Sequence, residues 1–112
     1  MIFKGAGAHF CTGGNFVQRQ RADLSSFRSA EFLALLQRQS RITADIRSLR
    51  VTKFGAVHGK LIGGGVAFAL ATDWCVCPAA TTFNYGNLPR GVNPLFMFSR
   101  VLPLIVGYPA GF

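Results

Sequence analysis

Three adjacent glycines, Gly63 to Gly65, constrain the fold of this chain more than any other feature. They follow the aliphatic pair Leu61–Ile62 and precede an apolar run that ends near Asp73. Glycine inside a helix costs roughly 0.5–1 kcal/mol relative to alanine, so three in succession need a compensating role. We expect a glycine turn that opens a helix, where the missing side chains let another group approach the backbone closely.

The order of apolar segments predicts an α/β fold. One long amphipathic helix is indicated from Ser29 to Leu49, because apolar residues recur there at three- and four-residue steps. This apolar stripe consists of Phe32, Leu35, Leu36, Ile42, Ile46 and Leu49. Strands alternating with helices in this way favour parallel strands that are buried on both faces. The other predicted elements are strands at Ile2–Phe3, Phe54–Val57, Trp74–Cys77 and Thr82–Phe83, a helix at Val66–Leu70, and a helix at Met97–Val101 that ends before Pro103.

A second glycine-rich segment, GAGAHFCTGGN, runs from Gly5 to Asn15. It is not a dinucleotide fingerprint, because Phe10 stands where that fingerprint needs glycine, and it lacks the lysine of a phosphate-binding loop. The remaining interpretation is a strand end whose backbone N–H groups are left unpaired by tight turning. If these groups and those of the triple glycine converge on one carbonyl oxygen, they form an oxyanion hole. Taken alone, either segment is also explained by close packing.

The charge balance allows two interpretations. The net charge is +8, and eight of the twelve Lys and Arg residues lie between Arg19 and Lys53. This pattern fits a solvated helix face, and it also fits a surface that binds anions. No consecutive run of Lys or Arg occurs, so we expect no nucleic-acid partner; a nucleic-acid binder would lose affinity steeply as salt rises.

The three cysteines are Cys11, Cys75 and Cys77. Structural zinc needs four ligands at recognisable spacings, so we expect no metal site and predict buried, reduced thiols in an intracellular protein. No secretory signal is visible at the start, and the apolar block from Leu61 to Thr72 is too short for a membrane span. The predicted location is the cytoplasm, or a mitochondrion or plastid if a targeting segment precedes Met1.

Three segments in this order, GAGAHFCTGGN, AVHGKLIGGGVAFALATDW and TTFNYGNLPRGVNP, resemble the crotonase superfamily, the enoyl-CoA hydratase/isomerase family. The resemblance covers almost the whole chain, and its last segment is similar to members associated with polyketide β-branching. It implies a crotonase-like spiral of ββα units, usually assembled into trimers. Residues 1–112 would be a partial domain that lacks the N-terminal strands and the C-terminal helical region of the family.

The resemblance also implies a substrate and a site. The substrate would be an acyl thioester of coenzyme A or of acyl carrier protein, with no permanently bound cofactor, because coenzyme A or phosphopantetheine is part of the substrate. The backbone N–H groups of Thr12 and Gly64 would form the oxyanion hole and stabilise a thioester enolate. The implied substrate-binding residues are Phe10, Cys11, Gly13, Gly14, Ile62, Gly63 and Gly65.

The chain departs from the family at the two positions where hydratases carry glutamate, which are Ala67 and Asn87 here. Alanine cannot move a proton and an amide is no general base, so isomerase or decarboxylase chemistry fits better than hydration. Asn87 is a tentative catalytic residue that could bind a carboxylate or enolate, or a turn former before Pro89. Asp73 and His58 are expected to be structural. The alternative function is an inactive remnant that only associates with homologous subunits or synthase modules.

Overall fold

The computed structural model describes residues 1–14, 29–86, 89 and 98–111, but not the side chains of residues 29–32, 35, 36 and 111. Short strands and helices alternate along this part of the chain. The strands are β1 (Ile2–Lys4), β2 (Phe54–Ala56), β3 (Lys60–Ile62), β4 (Trp74–Val76) and β5 (Thr82–Asn84). The helices are α1 (Ser29–Ser48), α2 (Gly64–Leu70), α3 (Phe98–Val106) and α4 (Tyr108–Gly111).

The strands form two small parallel sheets, as the sequence predicts. The first sheet has the order β1-β2-β4, and the second pairs β3 with β5. An isolated parallel bridge between Cys11 and Leu61 adds a third chain segment beside β3. The alternation of apolar segments therefore predicts the strand direction correctly, although the sequence analysis missed β3 itself.

The core lies where α2 packs on the second sheet. It is a cluster of buried apolar side chains from the end of β2, from β3 and from the helices α2 and α3: Val57, Leu61, Val66, Ala67, Ala69 and Phe98. Helix α2 begins at Gly64, within the predicted glycine turn and two residues before the predicted span Val66–Leu70, after Gly63 takes a positive φ of 53° that favours glycine. Burial of this cluster holds the triple glycine against β3.

A half-buried ion pair joins Lys53, directly before β2, to Asp73, which lies between α2 and β4. The Lys53 ammonium lies 3.1 Å from the Asp73 carboxylate, and the Lys53 side chain is only 4% exposed against 44% for Asp73. The same carboxylate accepts a 2.8 Å hydrogen bond from the Lys53 backbone N–H. The Lys53 ammonium also donates to the carbonyl oxygens of Leu49 and Val51. The prediction that Asp73 is structural is therefore confirmed.

One face of the first sheet is exposed, which corrects the expectation of strands buried on both faces. Ile2, Phe54 and Trp74 are aligned in register across the three strands, and Ile2 and Trp74 are 69% and 66% exposed. Val76 lies on the same side one pleat further along β4 and is also exposed. We call this surface the open face. Nothing in the described part of the chain covers these side chains.

Two helix predictions need correction. Helix α1 matches its predicted span to within a residue, but Ile42 and Leu49 of its apolar stripe are exposed. The stripe residues Phe32, Leu35 and Leu36 have side chains outside the described set. Helix α3 continues through Pro103 to Val106 instead of ending before the proline. The predicted start at Met97 lies outside the described residues.

No helix in the described part of the chain is both long and apolar enough to cross a membrane.

Candidate functional site

Three chain segments end at one edge of the second sheet. Cys11 pairs with Leu61 in a parallel bridge, and the Ile62 N–H donates a 3.0 Å hydrogen bond to the Cys11 carbonyl oxygen. On the other side of β3, the Gly63 N–H donates to the Asn84 carbonyl oxygen at 2.9 Å. Since all three segments run in the same direction, the residues that follow them all lie at the carboxyl-end edge of the sheet. We call this region, Cys11–Gly13 with Ile62–Gly65 and Asn84, the glycine edge.

Gly65 is required for contact with Cys11. A Cβ atom built on Gly65 would overlap the Cys11 carbonyl oxygen and lie 2.9 Å from the Cys11 Cβ. Gly13 has a φ of 92°, and a Cβ there would lie 3.0 Å from the Ile62 carbonyl oxygen. Both glycines therefore permit the two segments to touch. Both are among the substrate-binding residues that the family resemblance implies, and that assignment stays a prediction; the contact in the structure is between protein backbones.

Several backbone N–H groups at this edge, including those of Gly13 and Gly65, donate to no backbone carbonyl of the described residues. Among the described residues, no backbone carbonyl accepts a hydrogen bond from the N–H of Thr12 or of Gly64. For Gly64 this follows from its place as the first residue of α2, where no intrahelical acceptor exists. Gly14 is exposed, and a Cβ at that position would meet nothing within 4 Å.

The loop before Cys11 is held by two histidines. His58 Nε2 lies 2.7 Å from the Gly7 carbonyl oxygen, and the His58 carbonyl accepts a 2.9 Å hydrogen bond from the Phe10 N–H. His9 Nδ1 accepts from the Lys60 N–H at 3.3 Å. These contacts fix the loop against the start of β3. The prediction that His58 is structural is confirmed, and His9 is an anchor that the sequence analysis missed.

Aromatic side chains lie beneath the glycine edge. Phe10 and Tyr85 are half-buried against the core, and the Tyr85 ring packs on Phe98 with 4.1 Å between centroids and 51° between planes. Burial raises the pKa of Tyr85 to about 12, so its hydroxyl stays protonated near neutral pH. Sequence analysis did not single out Tyr85 or Phe98. The available signal was aromatic character, inside the third motif for Tyr85 and four residues after it for Phe98.

Hydratases of the family that this chain resembles carry glutamate at two positions, which are Ala67 and Asn87 here. Ala67 is 1% exposed and lies inside the apolar core. Asn87 lies outside the described residues. The structure thus brings together Phe10 to Gly13 with Ile62 to Gly65, whereas Asn87 is left without a structural account.

The cysteine prediction was wrong about burial. All three thiols are free, but Cys75 and Cys77 are exposed and Cys11 is only half-buried. Cys75 lies in β4 and Cys77 directly follows it. Because β4 is an edge strand of the first sheet, these two side chains are not enclosed. In the described part of the chain, no three His, Cys, Asp or Glu side chains lie close enough together to hold one metal ion.

Comparison with known sequences identifies relatives over nearly the whole chain. The family model for enoyl-CoA hydratase/isomerase matches residues 1–110. The peroxisomal Delta(3,5)-Delta(2,4)-dienoyl-CoA isomerase of Arabidopsis thaliana is 32% identical over 116 residues, covering 96% of this chain and 41% of the relative. The crotonyl-CoA hydratase of Syntrophomonas wolfei is 29% identical, covering 96% and 40%. The chain therefore spans about two fifths of the length of these relatives.

Solved structures also match the fold of this chain, which again spans about two fifths of their length. A structure from Streptomyces coelicolor A3(2) has a TM-score of 0.91 at 25% identity, with 98% of this chain and 40% of that chain covered. An enoyl-CoA hydratase from Polaromonas sp. JS666 has a TM-score of 0.83 at 27% identity, covering 98% and 42%. These matches confirm the predicted α/β, crotonase-like fold, of which this chain spans a part. Together with the family match, they establish that the chain belongs to the enoyl-CoA hydratase/isomerase family.

Proposed function

We propose that this chain forms the part of a crotonase-type site that binds an acyl thioester and stabilises its enolate. In this proposal the backbone N–H groups of Thr12 and Gly64 both donate to the thioester oxygen, where negative charge develops. The observation that carries the proposal is the parallel pairing of Cys11 with Leu61. Thr12 follows Cys11 directly and Gly64 follows Leu61 by three residues, so both N–H groups belong to the same edge of the sheet.

The reaction we favour is double-bond isomerisation or decarboxylation. Ala67 is enclosed in the core and has no group that can exchange a proton with water. Asn87, in the second position, carries an amide that is no base near neutral pH. Both reactions proceed through an enolate, so they use the oxyanion hole without needing two carboxylates to activate water. In this proposal the Asn87 amide contacts a substrate carboxylate or enolate.

The substrate class follows from the family. The named relatives act on dienoyl-CoA and crotonyl-CoA, which supports an acyl-CoA substrate here. An acyl carrier protein would present the same phosphopantetheine thioester, which is the form that the likeness to polyketide β-branching members favours. Under this proposal no cofactor is held permanently, and the active assembly is a homotrimer. The cytoplasmic location also stays a prediction, since the Arabidopsis relative is named as peroxisomal.

The test removes one backbone N–H at a time. Proline is tolerated at the first position of a helix, so Gly64→Pro removes the donor while leaving α2 able to form. Thr12→Pro removes the other donor, and Thr12→Ala is its matched control because it changes the side chain but keeps the N–H. The probe is acetoacetyl-CoA, whose enolate has its own ultraviolet absorbance that a titration can follow.

We expect each proline variant to weaken enolate binding at least tenfold, since a hydrogen bond to a charged group contributes about 1.5–3 kcal/mol. Thr12→Ala should bind as the unmodified chain does. If Gly64→Pro and Thr12→Pro bind the enolate with unchanged affinity, the oxyanion assignment is wrong. Equal losses in Thr12→Ala and Thr12→Pro would move the role from the backbone to the threonine side chain.

The alternative function is association without catalysis. The open face, with Ile2 and Trp74 largely exposed, is the observation that favours it, because contiguous exposed apolar side chains commonly mark protein contacts. Co-expression with a full-length homologous subunit discriminates the two functions. A stable mixed assembly that binds no thioester at this chain's glycine edge supports association alone, whereas enolate binding by the chain supports the proposed site.

A further inference from the structure

Two cysteines lie outside the proposed thioester site and have no role in it. Cys75 is the middle residue of β4, and Cys77 follows the strand directly. Both are free and exposed. Side chains alternate along an extended chain, so Cys75 and Cys77 project from one side of β4 while Trp74 and Val76 project from the other.

The extended conformation continues through Cys77. The Val57 N–H donates a 3.0 Å hydrogen bond to the Val76 carbonyl oxygen, which prolongs the pairing with β2. Cys77 precedes Pro78, and the residue before a proline is restricted to extended conformations. Residues two apart in such a chain have Cα atoms about 6.6 Å apart. That spacing is near the upper limit for a disulfide, so the strand holds the two thiols side by side without favouring a bond between them.

The Cys75 thiol borders a cleft that contains a positive charge, and Cys77 lies two residues further along the chain. Cys75 lines a cleft of about 400 Å³, together with Thr72, Asp73 and Arg47. Arg47 reaches the cleft from α1 and donates to the Leu70 carbonyl oxygen at 3.1 Å. Asp73 is engaged by the Lys53 ammonium, which offsets its negative charge.

We propose that Cys75 and Cys77 form a two-thiolate site for a soft monovalent metal cation, copper(I) being the ion that thiolates select. Binding replaces two S–H protons with two metal–sulfur bonds and releases both protons, with no change in oxidation state. The bound unit carries one negative charge, which Arg47 in the same cleft partly neutralises. This site differs from the four-ligand zinc site that the sequence spacing excludes, because linear two-ligand coordination suffices for copper(I).

The test is an anaerobic titration of the 112-residue chain with copper(I), in competition with a colorimetric copper(I) chelator. We expect one copper(I) per chain and the release of two protons. Cys75→Ser and Cys77→Ser should each weaken binding at least 100-fold, because a single thiolate remains. Cys11→Ser is the matched control and should leave copper binding unchanged, since Cys11 belongs to the second sheet.

Comparison with a peptide of residues 72–80 shows how much the fold contributes to copper(I) affinity. We expect it to bind copper(I) at least tenfold more weakly than the chain, because the free peptide must first order its two thiols. Equal affinity of peptide and chain would overturn the proposal, as would full binding by either single serine variant at Cys75 or Cys77. If a serine variant fails to fold, alkylation of the unmodified chain decides instead. Bound copper(I) should protect Cys75 and Cys77 but not Cys11, and equal reaction of all three contradicts the site.

Discussion

Among single residues, Gly65 shows how a glycine can be required by the protein's own backbone. Its Cα lies against Cys11, and the same contact keeps Cys11 paired with Leu61. The glycine edge depends on this approach, because a side chain at Gly65 would push the segment that carries Thr12 away from α2. Packing against Cys11 alone is therefore enough to require a glycine at this position.

We predict that Gly65→Ala destabilises the chain by about 1–3 kcal/mol, the usual cost of overpacking. The reason is the overlap of the new Cβ with the Cys11 carbonyl, which only a backbone shift can relieve. Urea denaturation followed by circular dichroism measures the change. Gly7→Ala is the matched control: a Cβ there meets nothing within 4 Å, so its effect should stay within about 0.5 kcal/mol. Equal loss in both variants would contradict the packing argument.

The Lys53–Asp73 pair gives a prediction about acid stability. Hydrogen bonds from the Lys53 backbone N–H and side chain hold the pKa of Asp73 below its ordinary value of 3.8. A carboxyl whose pKa is lower in the folded state stabilises the fold above its unfolded pKa, and this contribution is lost as pH falls through the folded pKa.

We therefore expect the free energy of unfolding to fall as pH drops below about 4, and Asp73→Asn to reduce that dependence. Denaturation curves recorded between about pH 2 and pH 7 would measure it. Asp45→Asn is the control, since Asp45 pairs with Arg41 only at the surface, at 4.0 Å. An acid dependence that survives unchanged in Asp73→Asn would show that other carboxyls cause it.

Among the elements, β3 is the one on which the site depends most and the one that the sequence analysis missed. It has only three residues between the turn at Gly59 and the glycines, too few for any periodicity to appear. In the structure it is paired on both sides, by Cys11 and by β5. Its central Leu61 is completely buried. Long-range pairing, rather than local pattern, makes this segment a strand.

We predict that Leu61→Ala costs about 2–5 kcal/mol of unfolding free energy, as for other large-to-small substitutions in a core. The leucine side chain fills the centre of the core cluster, and its loss leaves a cavity. Leu104→Ala is the matched control, because Leu104 is 68% exposed and its change should stay within about 0.5 kcal/mol. Thermal unfolding of both variants gives the comparison, and similar losses would argue against the core described above.

Helix α3 shows the limit of a local rule. Proline usually ends or bends a helix because it lacks an N–H, which is why Pro103 was expected to stop this one. Pro103 is buried, and α3 continues to Val106, after which Gly107 takes a φ of 84° before the last helix α4. Burial of apolar residues on α3, including Phe98 and Val101, outweighs one missing hydrogen bond.

On the scale of the whole molecule, exposed apolar surface and net charge have opposite effects on association between copies of the chain. The open face presents Ile2, Phe54, Trp74 and Val76, while the chain carries a net charge of +8. Like charge keeps copies apart at low salt, and exposed apolar area draws them together when salt screens that charge.

We predict that the chain self-associates increasingly as salt rises from about 0.05 M to 0.5 M, over which the screening length shortens several-fold. Trp74→Lys should reduce this association because it places a charge within the open face, at one of its most exposed side chains. Tyr108→Lys, which adds the same charge at an equally exposed position on α4, is the control. Sedimentation velocity measures the association. If it weakens with salt instead, attraction between charges causes it.

The sequence by itself determined the α/β class, the parallel strands, the span of α1, the start of α2 at the triple glycine and the family. These features are read from local patterns and from motifs whose order along the chain is specific. Only the tertiary structure decided that Leu61 belongs to a strand, that Gly65 packs on Cys11, and that Cys75 and Cys77 are exposed. The physical reason is that pairing, close approach and burial depend on residues distant in the chain, which no local pattern specifies.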